Sequence, residues 1–196
     1  MPEKVLLCAP RPKTDVTGLT LAFELLIKGM GESGIRHSIV DAAFLGSVSK
    51  SGKFSVGRAL ETLVVVFRVW WHLLRCDVYY ATMSTSSVGF WRDYLTVAVA
   101  SVLNRRIVLH LHGGGFEQFF NSQGAWMRRR IVKTLNSVTR IVVLGELLKD
   151  QFRCAGASIY AKLAVVPNGL TLGVPEPDLV DKRLPEVGGG INLLYM

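Results

Sequence analysis

Cysteine is scarce in this chain. The three residues Cys8, Cys76 and Cys154 are far apart and no CxxC spacing occurs, so neither a disulfide framework nor a zinc site is supported. Charge is also sparse, at 19% of 196 residues, and the acidic share is the smaller one, 15 Asp and Glu against 23 Lys and Arg. No uninterrupted apolar run reaches spanning length. The first apolar run, Lys4 to Ala9, is cut by Pro10, Arg11 and Pro12, too short for a signal peptide. The sequence contains no GxxxxGK[ST], HExxH or GxSxG motif, which removes the usual sequence grounds for a P-loop, a zincin or a nucleophile elbow.

Apolar residues make up 49% of the chain, and the mean hydropathy is +0.32. Such a chain suits buried strands with helices packed on both faces of a sheet, or a surface that meets lipid. The net charge of +8 favours anionic partners. Its basic residues are scattered and form no RNP-like or helix-turn-helix pattern, so nucleic acid is not expected. These features place the protein in the cytoplasm, peripheral to the inner face of the cell membrane.

Strand and helix patterns alternate along the chain. Lys4–Ala9 reads as a strand, Leu19–Met30 as a helix capped by Thr17 or Asp15, and Arg36–Ala42 as a second strand. Further helices are expected at Val56–Arg75, Phe90–Leu103, Ala125–Ser137 and Glu146–Cys154. Further strands are expected at Asp77–Thr82, Arg105–Leu111, Arg140–Leu144 and Leu163–Val166. The order implies an α/β fold: a Rossmann-like parallel sheet with helices on both faces. Residues 1–170 form this domain, 171–190 have linker composition, and 191–196 read as the first strand of a truncated second domain.

The stretch Arg105–Phe120, RRIVLHLHGGGFEQFF, holds the densest chemistry. A strand that empties into a glycine loop places its residues at the carboxyl end of the sheet, where open α/β folds bind ligands. His110 and His112 are two apart and share one face, but no Cys or second carboxylate completes a metal set, so no metal is expected. His110 reads as a satisfied histidine and His112, beside the glycines, as ligand-facing. Gly113 and Gly114 let backbone N–H groups approach a ligand closely, and Glu117 follows. Thr17 and Gly18 point a helix N-terminus at the same sheet edge. Gly29, Gly31 and Gly34 spell GxGxxG, but at the end of a helix rather than after a strand, and read as helix-stop glycines.

The helix expected at Val56–Arg75 is apolar over a wider arc than one sheet face needs. Arg68, Trp70, Trp71 and Arg75 suit a helix lying among anionic headgroups. The alternative is a core helix buried between the sheet and a neighbour.

The HGGGF loop (112–116), IVVLGELLKDQF (141–152), VVPNGL (165–170) and the final INLLYM resemble the N-terminal half of a GT-B-fold glycosyltransferase of family 4. That resemblance implies sugar transfer, retaining and without cofactor, from a nucleotide-sugar to a lipid-linked or polysaccharide-precursor acceptor. It casts His112 as the catalytic contact, with Gly18, Gly113 and Gly114 on substrate; Thr17 and Glu117 join them as substrate-binding candidates from their own positions. The chain would then carry the acceptor half alone and be inactive by itself. The alternative is a non-catalytic acceptor and membrane subunit that recruits a separate donor-domain chain. Departures from the family pattern are the lone Gly18 after TDVT, Gly145 in place of serine, and Thr171 in place of an acid. The paired glutamates expected on the donor side are missing, since Glu24 and Glu32 have the spacing but lie in the first helix.

Overall fold

The structure is a computed structural model that describes residues 3–10, 17–42 and 56–168, without the side chains of 56–59 and 61. In chain order, β1 (Val5–Ala9) leads to α1 (Gly18–Glu32) and β2 (His37–Asp41). They are followed by α2 (Val56–Leu73), β3 (Val78–Thr82), α3 (Ser87–Val102) and β4 (Arg106–Leu111). After these come α4 (Phe116–Ser122), α5 (Ala125–Ser137) and β5 (Arg140–Val143), a 3-10 helix over Glu146–Ala155, α6 (Ala157–Tyr160) and β6 (Leu163–Val165). The expected linker at 171–190 and strand at 191–196 lie outside the described residues.

All six strands pair in parallel, in the order β2-β1-β3-β4-β5-β6. The central strand β1 is buried on both faces, with α1 on one side and the remaining helices on the other, as the α/β reading requires. On β1 the alternation is direct. Val5, Leu7 and Ala9 join Phe23 of α1 in one cluster, while Leu6 and Cys8 join the larger cluster beneath α2, α3 and α5.

Local signals set the helix ends. Thr17 caps α1 through a box: its hydroxyl accepts from the Thr20 N–H, and the Thr20 hydroxyl accepts from the Thr17 N–H. The other end closes as a Schellman motif, with Ile35 N–H on Met30 O, Gly34 N–H on Gly31 O, and Gly34 at φ +67°. Gly34 is thus the helix stop, and Gly29 and Gly31 lie within the last turns of α1. The end of α3 repeats the motif with Asn104, at φ +53°, as its left-handed residue. At the start of α3, the Ser86 hydroxyl accepts from the Gly89 N–H.

Three elements depart from the sequence expectation. The stretch after the glycines is no plain loop, because Phe116–Ser122 turns into α4, with Phe116, Phe119 and Phe120 buried. Phe116 stacks on Phe152 at 4.1 Å between ring centroids, which ties α4 to the 3-10 helix. The helix expected at Glu146–Cys154 is found over Glu146–Ala155 and is wound more tightly than an α-helix. The one-turn α6 has too few residues to carry a periodic signal.

Candidate functional site

The site lies where β3 and β4 end. His110 is in register with Thr82 on one side and Val142 on the other, which puts it on a central strand. It faces the same side of the sheet as Tyr80, and the two rings meet edge to face at 5.9 Å. Tyr80 Oη is hydrogen-bonded to His110 Nδ1. Burial raises the Tyr80 phenol above its ordinary range. The phenol therefore stays protonated, and its bond to Nδ1 fixes the plane of the imidazole.

Two residues on, His112 lies over His110 with ring centroids 3.8 Å apart and planes inclined by 32°. Two charged imidazoles cannot stack this closely at tolerable cost. Burial pushes the His110 imidazole down to about 4, and repulsion from His112 adds to the effect. Burial also lowers His112. Both rings are neutral at pH 7. Among the described residues, neither His110 Nε2 nor His112 Nδ1 has a hydrogen-bond partner, although both atoms are buried. Buried polar atoms are rarely left in that condition, because an unmade bond costs about 1–3 kcal/mol.

The glycine loop follows at once. Gly113 (φ +104°) and Gly115 (φ +95°) occupy the left-handed region that side chains avoid. Gly114 does not, and a Cβ placed there meets nothing within 4 Å. The loop is held from below by Gln151, which accepts from the Phe116 N–H at 2.9 Å and reaches Gly113 O at 3.4 Å. On the β3 side, Ser84 N–H donates to Asp93 at 2.8 Å, and Arg92 pairs with the same carboxylate at 2.7 Å. This buried pair fixes the β3–α3 loop that carries Thr85. Burial raises the Asp93 carboxyl, while Arg92 and the Ser84 N–H oppose the rise.

The structure therefore brings His110, His112, Gly113 and Gly114 together with Tyr80. Glu117 is exposed in the first turn of α4. Thr17 and Gly18 open α1, which packs on β1, a strand separated from β4 by β3, and neither is joined to the histidines by a described contact. His110 is more than the satisfied residue expected, since only its Nδ1 is bonded. Tyr80 and Gln151 were not anticipated. Tyr80 looked like one more strand residue, and no local pattern marks a glutamine that reaches back 38 residues to Gly113.

Of the residues expected to meet a membrane, Arg68 and Trp71 are exposed on α2 and Arg75 is exposed in the turn after it. Trp70 is not on that face: its indole donates to Leu95 O of α3 at 3.3 Å, and its ring packs on the core. Cys8 is buried with its thiol pushed up to about 11, first by burial, and so is unreactive at neutral pH. Among the described residues no three His, Cys, Asp or Glu side chains group as metal ligands.

No family model matches this chain, and no curated protein does. Among solved structures, the chain is similar to a 2-deoxyribosyltransferase from the psychrotolerant bacterium Bacillus psychrosaccharolyticus. The TM-score is 0.37 at 10% identity, over 84% of this chain and 99% of that one. A conserved protein from Enterococcus faecalis gives a TM-score of 0.33 at 12% identity, over 85% and 92%. Likeness this distant carries nothing about activity. Neither structure is described as a family 4 glycosyltransferase, and no family model or curated protein supports that resemblance. The acceptor-half reading is thereby corrected, and the split-subunit alternative falls with it. The physical reason is that a glycine turn after a strand and a proline–asparagine–glycine ending recur wherever parallel α/β sheets finish their strands. Such pieces report the fold and not the chemistry.

Proposed function

We propose that the chain belongs to an enzyme that acts on a hydroxyl-bearing small molecule at the carboxyl edge of its sheet. His112 is the working group, a neutral imidazole that accepts a hydrogen bond or a proton from the substrate hydroxyl. His110, held by Tyr80, is the positioning residue behind it. The observation that carries this reading is the stacked pair of neutral imidazoles, His112 half-buried, at the head of a glycine loop. The position fits as well, since ligands of open parallel sheets bind outside the carboxyl ends of the strands.

The test is NMR titration, observing both the ligand signals and the histidine ring resonances of the protein, with a panel of small polyols, sugars and nucleosides, run on the wild type and on His112→Ala. Binders should shift the ring resonances of His112 and lose affinity about tenfold or more in the variant, as the loss of one buried hydrogen bond implies. The unfolding curve of His112→Ala should stay close to that of the wild type. Binders that leave the ring resonances unmoved and hold equally well to His112→Ala would sink the proposal.

A further inference from the structure

Helix α2 has two apolar sides, and the sheet uses only one. Val66, Val69 and Leu73 are buried against the core. On the other side Leu60, Leu63, Val64, Phe67, Trp71 and Leu74 are all exposed, Phe67 by 68% and Trp71 by 58%. At 100° per residue the five within α2 fall in an arc of about 100°, centred well away from the buried side, over a length of about 17 Å, and Leu74 follows in the turn after the helix. An ordinary surface helix presents charged residues there. Scattered single apolar residues need no explanation, but six in one stripe mark an interaction surface.

Arg68 and Arg75 are exposed along one border of the stripe. The Arg75 guanidinium sits over the Trp71 ring at 5.8 Å, a pairing that places a cation and an indole at the same level. Between Leu60 and Arg75 the sequence holds a single acid, Glu61, and the whole chain carries a net charge of +8. Among the described residues no helix is long and apolar enough to cross a membrane.

We infer that this outer face of α2 docks on an anionic lipid surface, with the six apolar side chains in the upper acyl region and Arg68 and Arg75 among the headgroups. The arrangement is that of an interfacial helix, with an apolar stripe, a tryptophan and a basic flank. Charge decides against a second copy as the occupant. A two-fold pairing of this face would bring two copies of the basic border formed by Arg68 and Arg75 into one interface, with little carboxylate to offset them. The surface is separate from the histidine site, so the two proposals stand or fall independently.

The test is co-sedimentation of the full chain with phosphatidylcholine vesicles, with and without phosphatidylglycerol, at low and high salt. The expected result is binding at least tenfold stronger to the anionic vesicles, weakened by salt. Phe67→Ser/Trp71→Ser and Arg68→Glu/Arg75→Glu should each reduce that binding tenfold or more, with circular dichroism and melting unchanged because all four side chains are exposed. Three results would overturn the inference: no binding by the folded wild type, equal binding by the variants, or no preference for anionic vesicles. Wild-type dimers in sedimentation velocity that become monomers in Phe67→Ser/Trp71→Ser would also overturn it, and would assign the face to a second copy.

Discussion

The stacked histidines make a quantitative prediction about acid sensitivity. An unfolded histidine titrates near 6.5, whereas His110 in the folded chain is held down to about 4. Between those values the unfolded chain binds a proton that the folded chain refuses, so stability rises with pH across this window. The contribution of His110 is fully present above pH 6.5 and is lost as the pH falls toward 4. The whole shift corresponds to about 3 kcal/mol, which water at the mouth of the site screens to about 2. Carboxylates also lose stabilising contacts in acid, so the histidine contribution must be read as a difference. Urea unfolding at pH 7 and pH 4.5 should show a larger loss in the wild type than in His110→Gln, by about 1–2 kcal/mol. Gln cannot titrate and can still accept from Tyr80. A parallel titration of the ring resonances should find His110 neutral down to pH 5. The reasoning is refuted if His110 titrates at 6 or above in the folded protein, or if wild type and variant lose equal stability.

Two further predictions concern the frame of the site. A Cβ at Gly89 would stand 1.9 Å from Ser84 Oγ and 2.5 Å from Ser84 Cβ. Rotating the hydroxyl relieves only the first contact, so Gly89→Ala should cost about 2 kcal/mol and lower Tm by roughly 4–8 °C, and Ser84→Gly in the same chain should restore most of it. An unchanged melting temperature would show that the β3–α3 turn is looser than described. Lys162 Nζ donates to Val138 O at 2.8 Å and also reaches Leu135 O and Asn136 O, closing the carboxyl end of α5. Lys162→Met should cost about 1–2 kcal/mol in urea unfolding with the apolar stem kept, and a neutral result would mean that water replaces those bonds.

Much of the fold was legible because its signals are local. Helix α5 falls on Ala125–Ser137 as its periodicity predicts, and Gly34 stops α1 because it alone there takes the left-handed backbone. The capping role of Thr17 was readable as one of two candidates. The candidate site was legible only in part. His112 and the glycines stand out in sequence, but the partners of His110 come from β3, and the clamp on the glycine loop comes from the 3-10 helix. Phe116–Ser122 read as loop because seven residues beside three glycines carry too little periodicity to declare a helix; burial against Phe152 makes it one.

Helix α2 divides the two kinds of information most clearly. Its sequence determined that the helix would be apolar over a wide arc, with arginines on one border. Only the tertiary structure decided which side of that arc the sheet would consume, turning Trp70 onto α3 and leaving Phe67 and Trp71 outside. The same holds at the histidines. Strand alternation put His110 and His112 on one face, a property of the backbone alone. Their stacking, their neutrality and their unpartnered nitrogens arise from burial and from neighbours distant in sequence. Periodicity and caps are written within a few residues of chain, while desolvation and packing exist only once the strands are assembled.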